Sequence, residues 1–173
     1  MADNQHRPIE VTHLTQTFGP SADNRLAESV SMGIDGAVAA LETFYYALNG
    51  RDLTVFKAIW YDDRLVQLDN PVGGTVRGLE PTTSLYEAIF NGPVRVTAEL
   101  GDVVQYASND VVIFAGRERG AYEHEGARVP LDIRTSRMFG YASHQRAWRQ
   151  IHHHGSIDDA EALAAYQQAV RRT

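Results

Sequence analysis

Apolar residues change their spacing near residue 94, which divides the chain into a helical part and a strand-rich part. The first helix is predicted to begin near residue 35 and to end at Gly50, and its apolar residues follow at intervals of three and four: Val38, Leu41, Tyr45 and Leu48. Shorter helices are predicted over 53–60 and over 81–91. The second of these opens with Pro81, a residue favoured in the first turn of a helix.

Four long segments rich in β-branched and aromatic residues follow the helices. They span residues 94–106, 111–123, 128–139 and 146–157. Short polar stretches such as Ser108-Asn109-Asp110 separate them, as expected for a four-stranded antiparallel meander. Helices first and a long antiparallel sheet afterwards indicate an α+β fold.

The chain is predicted to have three parts. Residues 1–33 form a polar extension, 34–157 a single domain and 158–173 a C-terminal helix, which Asp158 and Glu161 open as a D-x-x-E capping box. We expect the extension to be partly ordered by docking on the domain or on a partner subunit, and an unstructured tail is the alternative.

Composition and charge exclude several classes of partner. The net charge is −6, which argues against binding to nucleic acid or to an anionic membrane, because both need clustered lysine and arginine. The chain has no cysteine, which fits a cytoplasmic protein. The start MADNQHRPIE does not resemble a signal peptide, and no apolar stretch of 18 residues is present, so no membrane contact is expected.

The order of the elements resembles the cone-shaped fold of the nuclear transport factor two-like superfamily, over roughly residues 35–157. Three stretches carry the resemblance: the helix-turn-helix opening ALNGRDLTVFKAIWYDD, the ketosteroid-isomerase-like strand and loop LDNPVGGTVRG, and WRQIHHHGSI, which is similar to the closing strand of SnoaL-like proteins and of the calcium/calmodulin-dependent kinase II association domain. The resemblance implies a curved antiparallel sheet wrapped around the N-terminal helices, the cystatin-like or SnoaL-like α+β barrel. It does not fix a function, because this fold serves enzymes and non-catalytic assembly domains alike.

The chemistry of ketosteroid isomerases is not expected here. The resemblance implies an aspartate base and an oxyanion hole made of a tyrosine and a protonated aspartate. These positions fall on Phe44, Asn70 and Thr135, none of which supplies the required group. Asp69 lies one residue from the base position, but neighbouring residues of a strand face opposite sides of the sheet.

Two arginines are the candidate ligand-binding residues. The resemblance to the association domain places pocket arginines at Arg117 and Arg137. Strand alternation puts each arginine at the end of a row of apolar or small residues on one face of its strand: Ile113 and Ala115 before Arg117, and Leu131, Ile133 and Thr135 before Arg137. Such a pair would bind a carboxylate or phosphate by bidentate hydrogen bonds. The alternatives are a dimer interface or structural ion pairs with acidic neighbours: Glu99, Glu118 or Asp132.

Three consecutive histidines occupy the last strand. Alternation places His152 and His154 on one face, and we expect this face to be the outer surface that packs against a second subunit in a homodimer. These two imidazoles are near enough to share a metal ion, but no third ligand is predicted and we predict no metal site. His153 is expected to point into the cone, where nearby arginines would keep it neutral. It is the candidate acid or base, and a mere place in the pocket wall is the alternative.

Two functional hypotheses follow. The first is a small-molecule pocket protein, with a cofactor-free cyclase, isomerase or dehydratase as its enzymatic form, acting on an anionic and partly apolar metabolite. Arg117 and Arg137 would bind the anion, His153 would transfer protons, and further side chains would shape the pocket: Trp60, Asn70, Thr135 and Tyr45. No cofactor is predicted, since no phosphate-binding motif surrounds Gly73-Gly74. The second hypothesis is a non-catalytic association or ligand-sensing domain.

Overall fold

The computed structural model describes residues 8–171. Its helices are α1 (Ile34–Gly50), α2 (Leu53–Ile59), α3 (Leu79–Asn91) and α4 (Ala160–Arg171), with one 3-10 helix at Leu26–Val30. Its strands are β1 (Glu10–Leu14), β2 (Gln67–Asp69), β3 (Val76–Arg77), β4 (Arg95–Ala107), β5 (Val111–His124), β6 (Ala127–Ala142) and β7 (Ala147–Ser156). The predictions for residues 1–7 and 172–173 lie outside the described residues.

The seven strands form one sheet in the order β1-β4-β5-β6-β7-β2-β3. All neighbours are antiparallel except β2, which runs parallel to β7. The register shifts between Gly101 and Val104 in β4, and irregularities of this kind bend a strand and increase its twist. The predicted α+β fold with a curved sheet is confirmed, and the short strand β2 makes the sheet mixed.

The main core lies between the inner face of the sheet and the first three helices. The Asp52 carboxylate caps α2 by accepting a hydrogen bond from the Val55 N–H at 3.0 Å, and α1 ends where Arg51 takes a left-handed conformation with φ 55°. Large apolar side chains from helices and strands fill this core: Leu41, Phe44, Phe56, Phe114, Phe139 and Trp148.

Alternation along the strands separates an inner face from an outer face. The inner row of β6 holds Thr135 and Arg137, which pair in register with Gly116 and Phe114 of β5. In β7 the register shifts next to Ile151, because Phe139 pairs with Gln150 while Met138 pairs with His152. This extra residue changes the parity of the strand, so that Gln150 and His153 are both buried on the inner side.

The segment before α1 docks on the domain. Strand β1 pairs with β4 at the edge of the sheet, from Glu10 opposite Ala107 to Leu14 opposite Val103. Phe18 is buried and its backbone exchanges hydrogen bonds with Leu100. The three-part division of the chain stays a prediction.

Helix α4 forms a second, smaller apolar cluster. Its cap is Asp159, whose carboxylate accepts from the Ala162 N–H at 2.7 Å, and not Asp158 as the sequence pattern suggested. Three residues of the helix are buried against the sheet and a loop: Tyr166, Ala169 and Val170. None of the helices within residues 8–171 is long and apolar enough to cross a membrane.

Candidate functional site

A buried ion pair lies on the inner face of the sheet. The Arg137 Nη2 atom donates to Glu118 Oε1 at 2.6 Å, and the Arg137 Nε–H donates to the Tyr45 hydroxyl oxygen at 3.0 Å. The Tyr45 hydroxyl donates to the same Glu118 oxygen at 2.5 Å, while Arg137 Nη1 donates to Gln150 Oε1 at 3.2 Å. The guanidinium carbon lies 3.6 Å from the centre of the Phe44 ring. The network therefore joins α1 to three strands of the sheet.

Burial determines the electrostatics of this network. The side chains of Arg137 and Glu118 are 1% and 5% exposed, so both charges have lost nearly all contact with water. Burial acts to lower the pKa of Arg137, but the neighbouring Tyr45 and Glu118 outweigh it and raise that pKa. Burial also raises the pKa of Tyr45 well above its ordinary value. Arg137 is thus charged and Tyr45 neutral at every physiological pH.

A small cavity adjoins the ion pair. It has a volume of about 40 Å³, which is room for a few water molecules. Its polar lining consists of Asn70, Tyr86, Glu118, Arg137 and His153. Its apolar lining includes residues from α1, α3 and the sheet, and Tyr166 of α4 closes one side: Leu48, Ile89, Val96, Ala98 and Ile133.

His153 lines this cavity and has one ring nitrogen without a partner among the described residues. Its Nε2 atom lies 3.0 Å from the Thr135 hydroxyl, which also lies 3.1 Å from the His154 carbonyl oxygen. A carbonyl only accepts, so the hydroxyl donates to it, and the Nε2–H of His153 must donate to the hydroxyl. The proton therefore resides on Nε2. Nδ1 keeps its lone pair and has no partner among the described residues.

The imidazole of His153 is neutral. Burial lowers its pKa well below the ordinary value, and the charge of Arg137 lowers it further. A neutral imidazole with a free Nδ1 accepts a hydrogen bond or a proton from a bound molecule.

A family model described as a SnoaL-like domain matches residues 38–160, more than half of the chain. The chain belongs to the SnoaL-like family. The matched residues run from α1 to the start of α4 and contain both the ion pair and His153.

Solved structures of the NTF2-like superfamily share the fold of this SnoaL-like protein. A proposed dehydratase of the NTF2-like family from Streptomyces avermitilis has a TM-score of 0.66 at 17% identity, covering 73% of this chain and 97% of its own. A proposed calcium/calmodulin-dependent protein kinase type II association domain from Thiobacillus denitrificans has a TM-score of 0.57 at 22% identity, covering 70% and 94%. A ketosteroid isomerase-like protein from Erwinia carotovora atroseptica has a TM-score of 0.60 at 18% identity, covering 70% and 93%. No curated protein matches the sequence.

The structure brings together three of the predicted site residues of the SnoaL-like protein. Asn70, Arg137 and His153 all line the cavity. Tyr45 and Thr135 lie behind this wall, where Tyr45 holds the ion pair and Thr135 holds His153. Their contacts are those of positioning residues, which fix the groups that face the cavity.

Arg117 lies on the opposite face from the expected one. It donates to Asp132 at 2.9 Å and approaches Asp158 at 3.6 Å, and its side chain is 33% exposed. The prediction that Arg117 and Arg137 share one pocket is wrong. Arg117 pairs in register with Arg134, and Arg134 and Arg137 are an odd number of residues apart in β6, so they face opposite sides of the sheet. Both arginines form ion pairs with acidic neighbours, which is the alternative prediction: Arg117 with Asp132 and Arg137 with Glu118.

Trp60 belongs to the main core and not to the cavity wall. It is fully buried beside Phe56, with ring centres 6.3 Å apart, and its backbone bridges to Gln150. The expected role of Trp60 in shaping the pocket is therefore not supported by its position.

The isomerase positions carry different groups. Phe44 supports the guanidinium of Arg137, and the Asn70 Oδ1 accepts from the Val72 N–H at 3.2 Å. Asp69 points away from the cavity and lies 3.2 Å from His152 Nε2. His152 is thus half-buried and His154 exposed on the outer side. Within residues 8–171, no three histidine, cysteine or acidic side chains are grouped to hold a metal ion.

Sequence reasoning missed Glu118 as a site residue. Its strand has apolar residues on both faces, so alternation alone does not identify the inner row. A usable signal is present in Gly116 and Gly120, which flank Glu118 at two-residue spacing. A Cβ on either glycine would collide with the backbone of β4, as expected where a curved sheet is crowded on its concave side.

Proposed function

We propose that this SnoaL-like protein binds a small, partly apolar molecule in the cavity beside Glu118, Arg137 and His153, and performs acid–base chemistry on it without a cofactor. The buried ion pair carries the proposal. Ionised groups are rarely kept in an apolar core, and an apolar pair of similar volume would often be as stable or more so. Charged groups beside a cavity are therefore functional candidates.

The groups lining the cavity have complementary chemical roles. His153 Nδ1 is a proton acceptor without a partner in the described part of the chain. The hydrogen bonds from Tyr45 and Arg137 to Glu118 both end on Oε1, which leaves Oε2 as a second candidate acceptor. Arg137 holds the Glu118 carboxylate in place beside the cavity through its hydrogen bond to Oε1. Proton removal and return at neighbouring positions is the common step of isomerases, cyclases and dehydratases.

A variant that fills the cavity tests the proposal. Ala98→Val adds two methyl groups to the cavity wall, and Ala115→Val makes the same change on the outer face of β5. Native mass spectrometry of untagged protein should show a retained non-metal mass in the wild type and in Ala115→Val. Ala98→Val should lose that mass. Wild-type protein that neither retains a ligand nor binds any member of a panel of small alcohols and ketones contradicts the proposal.

An association domain is the second candidate function. A row of partly exposed apolar side chains crosses the outer face in register: Val11, Tyr106, Ile113 and Met138. The likeness to the proposed association domain from Thiobacillus denitrificans adds to this candidate at the level of the fold. A homodimer through this face and a cytoplasmic location stay predictions. Light scattering on Ile113→Asp tests the dimer, which this change should dissociate.

A further inference from the structure

The cavity carries no net charge. Five of its lining side chains can ionise: Tyr86, Glu118, Arg137, His153 and Tyr166. Burial raises the pKa of Tyr86 to about 12 and also raises that of Tyr166, while it lowers that of His153, so these three are neutral near pH 7. The opposite charges of Glu118 and Arg137 cancel each other.

Arg137 is not available to an anion. Its Nη2, Nη1 and Nε atoms donate to Glu118, Gln150 and Tyr45, and the Phe44 ring covers one side of the guanidinium. Two of its five N–H donors are left, and an anion that accepted from them would lie close to the negative Glu118 carboxylate. An anion that sought two parallel hydrogen bonds from Nε and Nη2 would have to displace Glu118. Glu118 would then be a buried charge without its partner, which is among the costliest arrangements in a protein.

A cation meets the same obstacle from the other side. A cation that displaced Arg137 from Glu118 would leave the guanidinium unpaired on the Phe44 ring, and one that contacted Oε2 alone would be repelled by the adjacent charge of Arg137. Charged ligands of either sign are therefore disfavoured, although one negative and one positive side chain line the cavity.

A further polar residue of the cavity wall, His153, supplies an acceptor. His153 Nδ1 has a lone pair and no partner in the described part of the chain. The surrounding wall is apolar: Leu48, Ile89, Val96, Ala98 and Ile133. A hydroxyl or N–H group on an apolar body complements this arrangement.

We propose that Glu118 is a specificity-determining residue: by occupying Arg137 it excludes anions and leaves the cavity to an uncharged, largely apolar molecule that donates a hydrogen bond to His153. This inference rests on the proposed function, because it names the class of ligand for the same cavity. It departs from the anionic ligand that the two arginines suggested in the sequence.

Removing the charge of Glu118 tests the proposal. Glu118→Gln keeps the shape of the side chain and leaves Arg137 without a counter-charge. Formate and formamide serve as probes, since they have the same size and differ in charge. The control is the double variant Glu118→Gln/Arg137→Met, which lacks both charges. A general effect of salt on stability appears in this variant too, whereas binding of formate to Arg137 does not. The measurement is the thermal unfolding midpoint against probe concentration.

Formate should stabilise Glu118→Gln at concentrations at least about tenfold lower than it needs to stabilise the wild type. Formamide should not distinguish the three proteins, and the double variant should respond to formate as the wild type does. Equal formate responses of the wild type and Glu118→Gln overturn the proposal, whether both respond or neither does.

Wild-type protein alone supplies a second measurement if Glu118→Gln does not fold. The Arg137 Nε–H resonance should not move when formate is added, and a saturable shift overturns the proposal. The identity of a retained ligand separates the two proposals: an anionic ligand overturns the role of Glu118 but keeps the binding function. An anion-responsive Glu118→Gln without any ligand in the wild type supports the role of Glu118 and contradicts the binding function.

Discussion

Two arginine–carboxylate pairs connect the same two strands on opposite faces of the sheet. On the inner face Arg137 lies 2.6 Å from Glu118, with side chains that are 1% and 5% exposed. On the outer face Arg117 lies 2.9 Å from Asp132, with side chains that are 33% and 51% exposed. The residue types and distances are alike, so the difference between the pairs is their access to water.

Access to water decides what each pair does. Water and salt screen the outer pair, and each member has a second partner: Arg119 is 4.0 Å from Asp132, and Asp158 is 3.6 Å from Arg117. The inner pair has no second charged partner among the described residues, and its neutral partners Tyr45 and Gln150 are held in place by the core. It therefore couples strongly to the fold and to any molecule in the cavity.

The largest expected effect comes from breaking the inner pair. Arg137→Ala leaves Glu118 and Tyr45 buried without their partner, and the free energy of unfolding should fall by about 3–5 kcal/mol. Urea denaturation measures it. Arg137→Met with Glu118→Leu removes both charges and should recover most of the loss. A loss from Arg137→Ala below about 1 kcal/mol would show that water reaches the pair and that its burial is not maintained in solution.

Much of the fold could be predicted from the sequence because local patterns determine it. The four long strands and the first helices lie within a few residues of their predicted bounds. Strand β1 was not predicted, since most of its five residues are exposed and it is held by backbone pairing with β4. Such pairing leaves little trace in the hydrophobic pattern.

The site was harder to predict because it depends on strand parity. Arg117 and Glu118 are neighbours in β5, so an error of one residue exchanges the outer arginine for the inner carboxylate. His153 lies on the inner face as expected, and it shares that face with Gln150 because the register of the strand shifts between them. The inner face of a strand could therefore not be identified from the sequence where a bulge shifts the register or where both faces of the strand carry apolar residues.

The second-largest expected effect is a dependence of the free energy of unfolding on pH, which arises from His153 on the inner face. Burial, then the charges of Arg137, His152 and His154, hold the pKa of His153 below that of an unfolded histidine, about 6.5. Above this pH neither state binds the proton. Below it the unfolded state binds a proton that the native state does not, so stability falls by up to about 1.4 kcal/mol per pH unit.

Two variants isolate this effect between pH 7 and pH 5. His153→Gln should reduce the slope of unfolding free energy against pH, because it removes the buried titrating group. His154→Gln is the matched control, since it changes the adjacent, exposed histidine and should keep the slope. The same slope in His153→Gln as in the wild type would mean that His153 is hydrated enough to titrate normally in the native state.

A smaller and local effect should follow from releasing α4. Asp158 joins the start of this helix to Arg134 at 2.6 Å and to Arg117 at 3.6 Å, and Tyr166 closes the cavity. Asp158→Ala should speed hydrogen exchange of backbone amides in α4 by about fivefold, the effect expected of partly exposed ion pairs. Exchange in α1 should not change. Faster exchange in both helices would mean that α4 does not open separately from the domain.

The smallest effect is expected from the outer pair itself. Arg117→Ala leaves Asp132 and Asp158 in contact with water and with Arg119 and Arg134, so neither carboxylate becomes a buried, unpaired charge. Its unfolding midpoint in urea should shift by less than about a quarter of the shift caused by Arg137→Ala, and the shift should vanish in high salt. Comparable losses from the two substitutions would require Arg117 to be buried in solution. A second subunit covering the outer face would bury it, and the loss would then depend on protein concentration.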